Sequence, residues 1–260
     1  MRLNIDVDLD YYFPAAAEVL LALEVAQLPD QVLIEDLLTV NGSGPLRPIT
    51  GEDGVGRRTW AAAEGPFRAR YTATVDVART PLAFDGLSAD PLEALPHDVV
   101  PYLWPSRYCE ADKFEAYVQR HFGTLVGGAK IAAMAGWIEA EMAYVAGSST
   151  GETTAADAFV SRQGVCRDYA HLLATFARAA GIPARLVSAY AWRLQPPDFH
   201  AVVEVWLAGA WQLVDPTGLA PVEGLARIAV GRDATDIAFM TIFGSAQMRS
   251  QSVTVSRLDG

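Results

Sequence analysis

Gly164-Val165-Cys166-Arg167-Asp168-Tyr169-Ala170-His171-Leu172-Leu173-Ala174-Thr175-Phe176-Ala177-Arg178-Ala179-Ala180-Gly181-Ile182-Pro183 changes character at its third residue. From Cys166 onward, Tyr169, Leu172, Leu173, Phe176 and Ala180 recur at the three- and four-residue intervals that line up on one face of an α-helix. Gly181 tolerates the left-handed conformation that closes a helix, and Pro183 cannot continue one. The spacing therefore predicts a helix over about Cys166 to Ala180, opened by a glycine-containing turn.

Downstream, the runs Arg185 to Tyr190, Ala201 to Leu207 and Trp211 to Val214 read as strands, with Ala208-Gly209-Ala210 as a hairpin turn. Upstream, Asp112 with Glu115 three residues later resembles a capping box for a helix from Asp112 to Phe122, with Gly123 beyond its end. A further helix is expected from Lys130 to Val145, because Ile131, Met134, Ala135, Ile138, Met142 and Val145 form a core-facing stripe that Gly147 terminates. Helices followed by a run of strands make an α+β pattern.

Earlier still, five prolines (81, 91, 96, 101 and 105) break any regular element between Pro81 and Pro105. Before them, Leu3-Asn4-Ile5-Asp6-Val7-Asp8-Leu9, Val32-Leu33-Ile34 and Arg68 to Val77 read as strands, separated by turn-rich segments such as Asn41 to Pro45 and Gly51 to Gly56. The expected organisation is a β-rich N-terminal domain, of sandwich type, with its proline connector over residues 1–105, and an α+β domain over residues 106–260.

Composition narrows the function. Across 260 residues, 51% are hydrophobic, enough to bury a core. The formal net charge of -11 repels polyphosphate, so a nucleic-acid partner is not expected. The longest apolar stretch, Val19 to Ala26, contains Glu24 and is too short to span a bilayer. The opening residues alternate like a strand and carry no export signal, so a cytoplasmic protein with no membrane partner and two free thiols is expected. Cys109 and Cys166 lack the close spacing of a structural metal site, and a metal centre on Cys166, His171 and His200 would want a fourth ligand; no metal is expected. No GxxxxGK[ST] phosphate loop is present, and no cofactor is expected.

A chemical site nevertheless emerges. Cys166 falls at a helix N-terminus, where unpaired N–H groups and the helix dipole favour an anion, as a thiolate nucleophile requires. The same N–H groups suit a developing oxyanion, and Gly164 and Val165 lie beside them. The chain has four histidines to supply a base. His97 lies in the proline connector and His121 in the last turn of a helix. His171 sits five positions after Cys166, about 140° around the helix, and points elsewhere. His200 opens one strand of the hairpin and Asp215 closes the other, at the same rim. Simple pairing about Gly209 sets residue 200 opposite 218, so Asp215 meets His200 only if the loop is centred earlier or a bulge shifts the register. A cysteine, a histidine and an acid in that order form the nucleophile, base and orienter of a papain-type thiol site.

Gly164 to His171 with Gly181-Ile182-Pro183-Ala184-Arg185 closely resembles the signature of bacterial transglutaminase-like proteins. Phe199-His200-Ala201 with Glu204-Val205-Trp206, and Trp211-Gln212-Leu213-Val214-Asp215-Pro216-Thr217, look like that family's histidine and aspartate motifs, and Gly231-Arg232-Asp233 with Asp236 like its C-terminal motif. Tyr11-Tyr12-Phe13-Pro14 and Pro105-Ser106-Arg107-Tyr108 are similar to the β-rich domain that often precedes the core, although its basic opening strands are sparse here. The resemblance covers about residues 112–244 and implies a papain-like α+β core with Cys166, His200 and Asp215 as its triad. Asp168, Tyr169, Arg232 and Asp233 lie in or beside the motifs as candidate cleft residues.

The expected chemistry is attack on a peptide or carboxamide carbonyl of a protein or peptide substrate, through a thioester released to water or to an amine. Hydrolysis is favoured because water is the default acceptor unless the pocket excludes it. The alternative is a peptide- or protein-binding module that keeps the fold without the chemistry.

Overall fold

A computed structural model describes residues 1–81 and 83–258. The alternation at the start of the chain forms β1 (Arg2–Leu21), in which Leu3, Ile5, Val7 and Leu9 point inward and are fully buried. β2 (Gln31–Asn41) and β3 (Arg47–Thr50) both pair with β4 (Arg57–Val77), which pairs antiparallel with β1 along nearly its whole length. A register shift between Phe13 and Ala17 marks a bulge in β1, the device that bends a long strand.

Among its described residues the connector contains only short 3-10 turns, as its prolines require, at Phe84–Gly86, Leu92–Ala94 and Val100–Leu103. α1 (Glu115–Phe122) starts later than expected: Ala111–Lys113 is a separate 3-10 turn and Phe114 is the cap, without a side-chain hydrogen bond. Phe114 is drawn instead into the ring cluster of Phe159 and Phe176, so packing rather than Asp112 sets the start. α2 (Gly127–Glu141) ends before Val145. Ala143 and Tyr144 become β5 (Ala143–Tyr144), because α3 (Ala155–Ser161) is followed by β6 (Gln163–Gly164), which captures them in a parallel pair. Tyr169 reinforces the break, its hydroxyl donating to the Met142 carbonyl at 2.8 Å.

The predicted cysteine helix is α4 (Cys166–Ala179), every residue from Asp168 to Arg178 being buried. It packs against α2 through Ile131, Met134 and Ile138, and against β7 (Ala184–Ala191) and β8 (Phe199–Leu207) through Leu186, Val203 and Val205. β9 (Ala210–Val214) and β10 (Leu225–Gly231) complete an antiparallel sheet in the order β10-β7-β8-β9. Helices on an antiparallel sheet, beside a second β-rich layer, give the α+β architecture read from the sequence.

After the short helix α5 (Ala234–Ile237) the chain returns to the first sheet. β11 (Met240–Phe243) and β12 (Gln247–Arg257) both pair with β1, so residues from the C-terminal segment complete the N-terminal sheet. That layer is one six-stranded sheet, and its apolar face is covered by Tyr190 of β7 and Ala226, Ile228 and Ala229 of β10. The core sheet thus takes the place of the second sheet that a separate sandwich would need.

A buried charge cluster fastens the layers. Glu204, fully buried, accepts from Arg185 at 2.7 Å and from Arg227 at 2.5 Å. Arg185 reaches Asp53 at 2.9 Å, and Arg227 also pairs with Asp30. Removing the shared carboxylate leaves two guanidinium groups without their buried partner, so Glu204→Ala is expected to lower unfolding free energy by about 3–5 kcal/mol, measured by urea denaturation.

Candidate active site

The N-terminus of α4 is built around Asp168, whose carboxylate accepts the Val165 N–H at 2.8 Å. A Cβ on Gly164 would lie 2.6 Å from the Asp168 Cβ, so only glycine permits this approach. The arrangement leaves Cys166 half-buried as the first residue of the helix, with its side chain lining a cleft. Val165 cannot stabilise an oxyanion, contrary to expectation, because Asp168 already occupies its N–H.

His200 stands near the start of β8, opposite Ala189 of β7, and its side chain is fully buried. Nε2 lies 2.8 Å from Asp215 Oδ2. The register that makes this possible needs no bulge. Ala208 and Gly209 adopt positive φ of 52° and 74° and close a tight turn that pairs Leu207 with Ala210 and Val203 with Val214. One step further places Val202 opposite Asp215, and His200, two residues along, shares its face as a diagonal neighbour. The Thr217 N–H and hydroxyl hold Asp215 Oδ1 at 2.9 and 2.7 Å, and the Ala220 N–H donates to Oδ2 at 3.1 Å.

With Nε2 engaged by Asp215, the other buried ring nitrogen, Nδ1, has no hydrogen-bond partner among the described residues, and the Cys166 thiol is near enough to act on the ring's charge. Burial disfavours a charged imidazole, yet the hydrogen bond with Asp215 and the nearby Cys166 sulfur outweigh it and push the His200 pKa up to about 10. Burial acts on Asp215 in the opposite sense, raising its pKa, but the His200 and Thr217 contacts prevail and hold it below the usual carboxylate range.

Tyr144, which sequence reasoning passed over as the end of a helix, stands at the same helix tip. Burial raises the pKa of its hydroxyl, the neighbouring Cys166 thiol adds to that, and the Cys166 backbone N–H opposes it. Its ring rests 5.8 Å from that of Tyr169. The only signal for Tyr144 was its nearness in sequence to the Gly147 stop, and the β5–β6 pairing that aims it is tertiary.

The remaining candidates serve the scaffold. Asp168 is the cap described above. Tyr169 is buried in the core. Arg232 is turned to Asp236, 3.0 Å away. Asp233 is buried and caps α5, accepting the Thr235 N–H at 2.9 Å, and it also receives the Tyr108 N–H at 3.2 Å. His171, fully buried, accepts the Ala234 N–H at 3.1 Å and stacks on Tyr108, and burial presses its pKa down to about 3. These contacts position Tyr108, Ala234 and Thr235 on the cleft wall. The cleft has a volume of about 560 Å³ and also runs past Asp198, Phe199 and the chain from Ile237 to Ile242. Among the described residues no cluster of three or more potential metal ligands forms.

A thiol at a helix tip, an imidazole buried beside it and a carboxylate behind the imidazole define the architecture of a papain-like thiol enzyme. Residues 112–216 match the core of the transglutaminase-like superfamily. A crystal structure of a protein from Cytophaga hutchinsonii, described as a "putative cysteine protease", superposes with a TM-score of 0.92 at 34% identity, covering 100% of this chain and 91% of that one. An uncharacterized protein of Mycobacterium leprae is 33% identical over 120 residues, an alignment that spans 42% of each chain. The chain belongs to the transglutaminase-like superfamily, which places it among the thiol-dependent enzymes.

The pKa directions fix the pH dependence of the His200–Asp215 pair. A raised histidine pKa contributes stability that is complete below the unfolded value of about 6.5 and is lost as pH rises through about 10; a lowered aspartate pKa contributes stability that is lost as pH falls below about 3.9. The difference in stability between the wild type and Asp215→Asn is therefore expected to be greatest between about pH 4 and 6.5 and to shrink on either side, read from thermal unfolding across pH.

Proposed function

We propose that this protein hydrolyses peptide or carboxamide bonds, with Cys166 as nucleophile, His200 as acid and base, and Asp215 as the group that orients and charges the imidazole. The observation that carries the reading is the position of His200, held by Asp215 at 2.8 Å on Nε2, with Nδ1 buried and left without a partner, in the same cleft that Cys166 lines. A carboxylate partner and a raised pKa equip His200 to take the thiol proton and hold it as an imidazolium. The thiolate adds to the amide carbonyl, and the imidazolium gives its proton to the departing nitrogen as the C–N bond breaks, leaving a thioester. His200, now neutral, takes a proton from water as that water attacks the thioester, and returns it to the thiolate.

In this reading the Cys166 N–H, at the first turn of α4, and the nearby Tyr144 hydroxyl are the donors that receive the carbonyl oxygen as it becomes an oxyanion. Tyr144→Phe is expected to reduce kcat by roughly 10²–10³-fold with little change in thiol alkylation, measured by steady-state and labelling kinetics.

Partial exposure of Cys166 supports water as acceptor. Peptides containing glutamine, incubated with the protein and a tagged primary amine and weighed by mass spectrometry, are expected to yield cleaved or deamidated products without the tag. Amine adducts as the main product would replace hydrolysis by transamidation, and products that persist in Cys166→Ala would remove the thiol from the reaction. His200→Ala is expected to lower the rate by about 10²–10⁴-fold in the same assay.

A further inference from the structure

β11 ends the six-stranded sheet. One edge pairs with β1, from Glu18 opposite Phe243 to Leu21 opposite Met240, and among the described residues no strand pairs with the other. The Ala22 N–H donates to the Phe239 carbonyl at 2.9 Å, which sets the alternation. Phe239, Thr241 and Phe243 turn their backbone groups toward β1, and Met240 and Ile242 turn theirs outward.

Met240, Thr241 and Ile242 all line the cleft that contains Cys166 and His200. Successive side chains of a strand project to opposite faces, so three consecutive residues share one cavity only if the cavity runs along the strand's edge. The neighbouring wall is apolar. Phe199 stacks on Phe239 with ring centroids 4.2 Å apart, and Ile237 and Ala238 adjoin them. Exposed edges are ordinarily blunted by charge, proline or a covering element, yet the sequence Met240-Thr241-Ile242-Phe243 carries neither charge nor proline.

We propose that the substrate is held as an extended peptide added to the outward edge of β11, a reading that rests on Cys166 as the nucleophile. The N–H and carbonyl groups of Met240 and Ile242 pair with the peptide backbone and bring one of its amide carbonyls to the thiol. Backbone pairing is indifferent to side-chain identity, so selectivity falls to alternate side chains that enter the apolar wall. The substrate class is an unfolded or locally extended segment with apolar residues at alternate positions, because the backbone groups of a helix or of an interior strand are already paired.

The probe is a series of leucine- and alanine-containing peptidyl chloromethyl ketones of one to four residues, whose chloride the Cys166 thiolate displaces to form a thioether. Iodoacetamide, which has no peptide, serves as reference. On the wild type, the ratio of the two rates is expected to rise with peptide length, and N-methylation at alternate amides to lower it about tenfold. Ile242→Pro, which deletes one outward N–H, is expected to lower the same ratio, and Ile242→Ala, which keeps that N–H, to retain the length dependence. A ratio insensitive to both length and N-methylation, with iodoacetamide labelling still dependent on His200, overturns strand addition and leaves the thiol reading standing. Iodoacetamide labelling of Cys166 that does not depend on His200 overturns both.

Discussion

The enclosure of α4 is the constraint from which the rest follows. A helix buried on every side from Asp168 to Arg178 can meet solvent only at its ends, and its polar groups must find partners inside the protein. Arg178 is satisfied by the Ala184, Trp104 and Arg232 carbonyls and the Ser106 hydroxyl, which ties the connector and the segment after β10 to the helix. His171 remains neutral and accepts from Ala234, which fixes the start of α5. Both ends stay partly open, and Cys166 is placed at the N-terminal one.

At that tip, local and distant chain segments divide the work. Asp168 and Gly164 shape the approach within a few residues of the cysteine. The histidine and its carboxylate arrive on a hairpin whose tight turn sets the diagonal between them. Because both side chains are withdrawn from water, their attraction is screened far less than it would be at the surface. Thr217 and Ala220 occupy the remaining acceptor capacity of Asp215, which keeps its charge directed at the imidazole.

The first sheet is part of the same construction. Its apolar face lies on β7 and β10, and the Glu204 cluster links it to the core through Asp30 and Asp53. Strands from the end of the chain complete that sheet, and one of them, β11, forms a wall of the cleft. A β layer remote in sequence from the thiol is thereby brought into the site, where an edge with unpaired backbone groups lies within reach of it.

Much of this was legible in the residues. Helical periodicity from Tyr169 to Phe176 marked α4, alternation marked residues 3–9 of β1 and 68–77 of β4, and a cysteine at a helix tip followed by a histidine and an acid at strand ends nominated the three candidate residues, of which His200 and Asp215 pair and Cys166 lines the same cleft as His200. These signals are local, since they depend on side chains that share a face within one element. The early end of α2 at Glu141, the aim of Tyr144, the structural use of Asp168, Arg232 and Asp233, and the return of β11 and β12 to the first sheet were not legible. Each is decided by a partner far away in the chain: a parallel strand pair ends α2, and β1 offers an edge that only the folded core delivers to the last strands. Periodicity specifies what an element is, whereas its partner and its orientation depend on which buried groups still need satisfying once the other elements are in place.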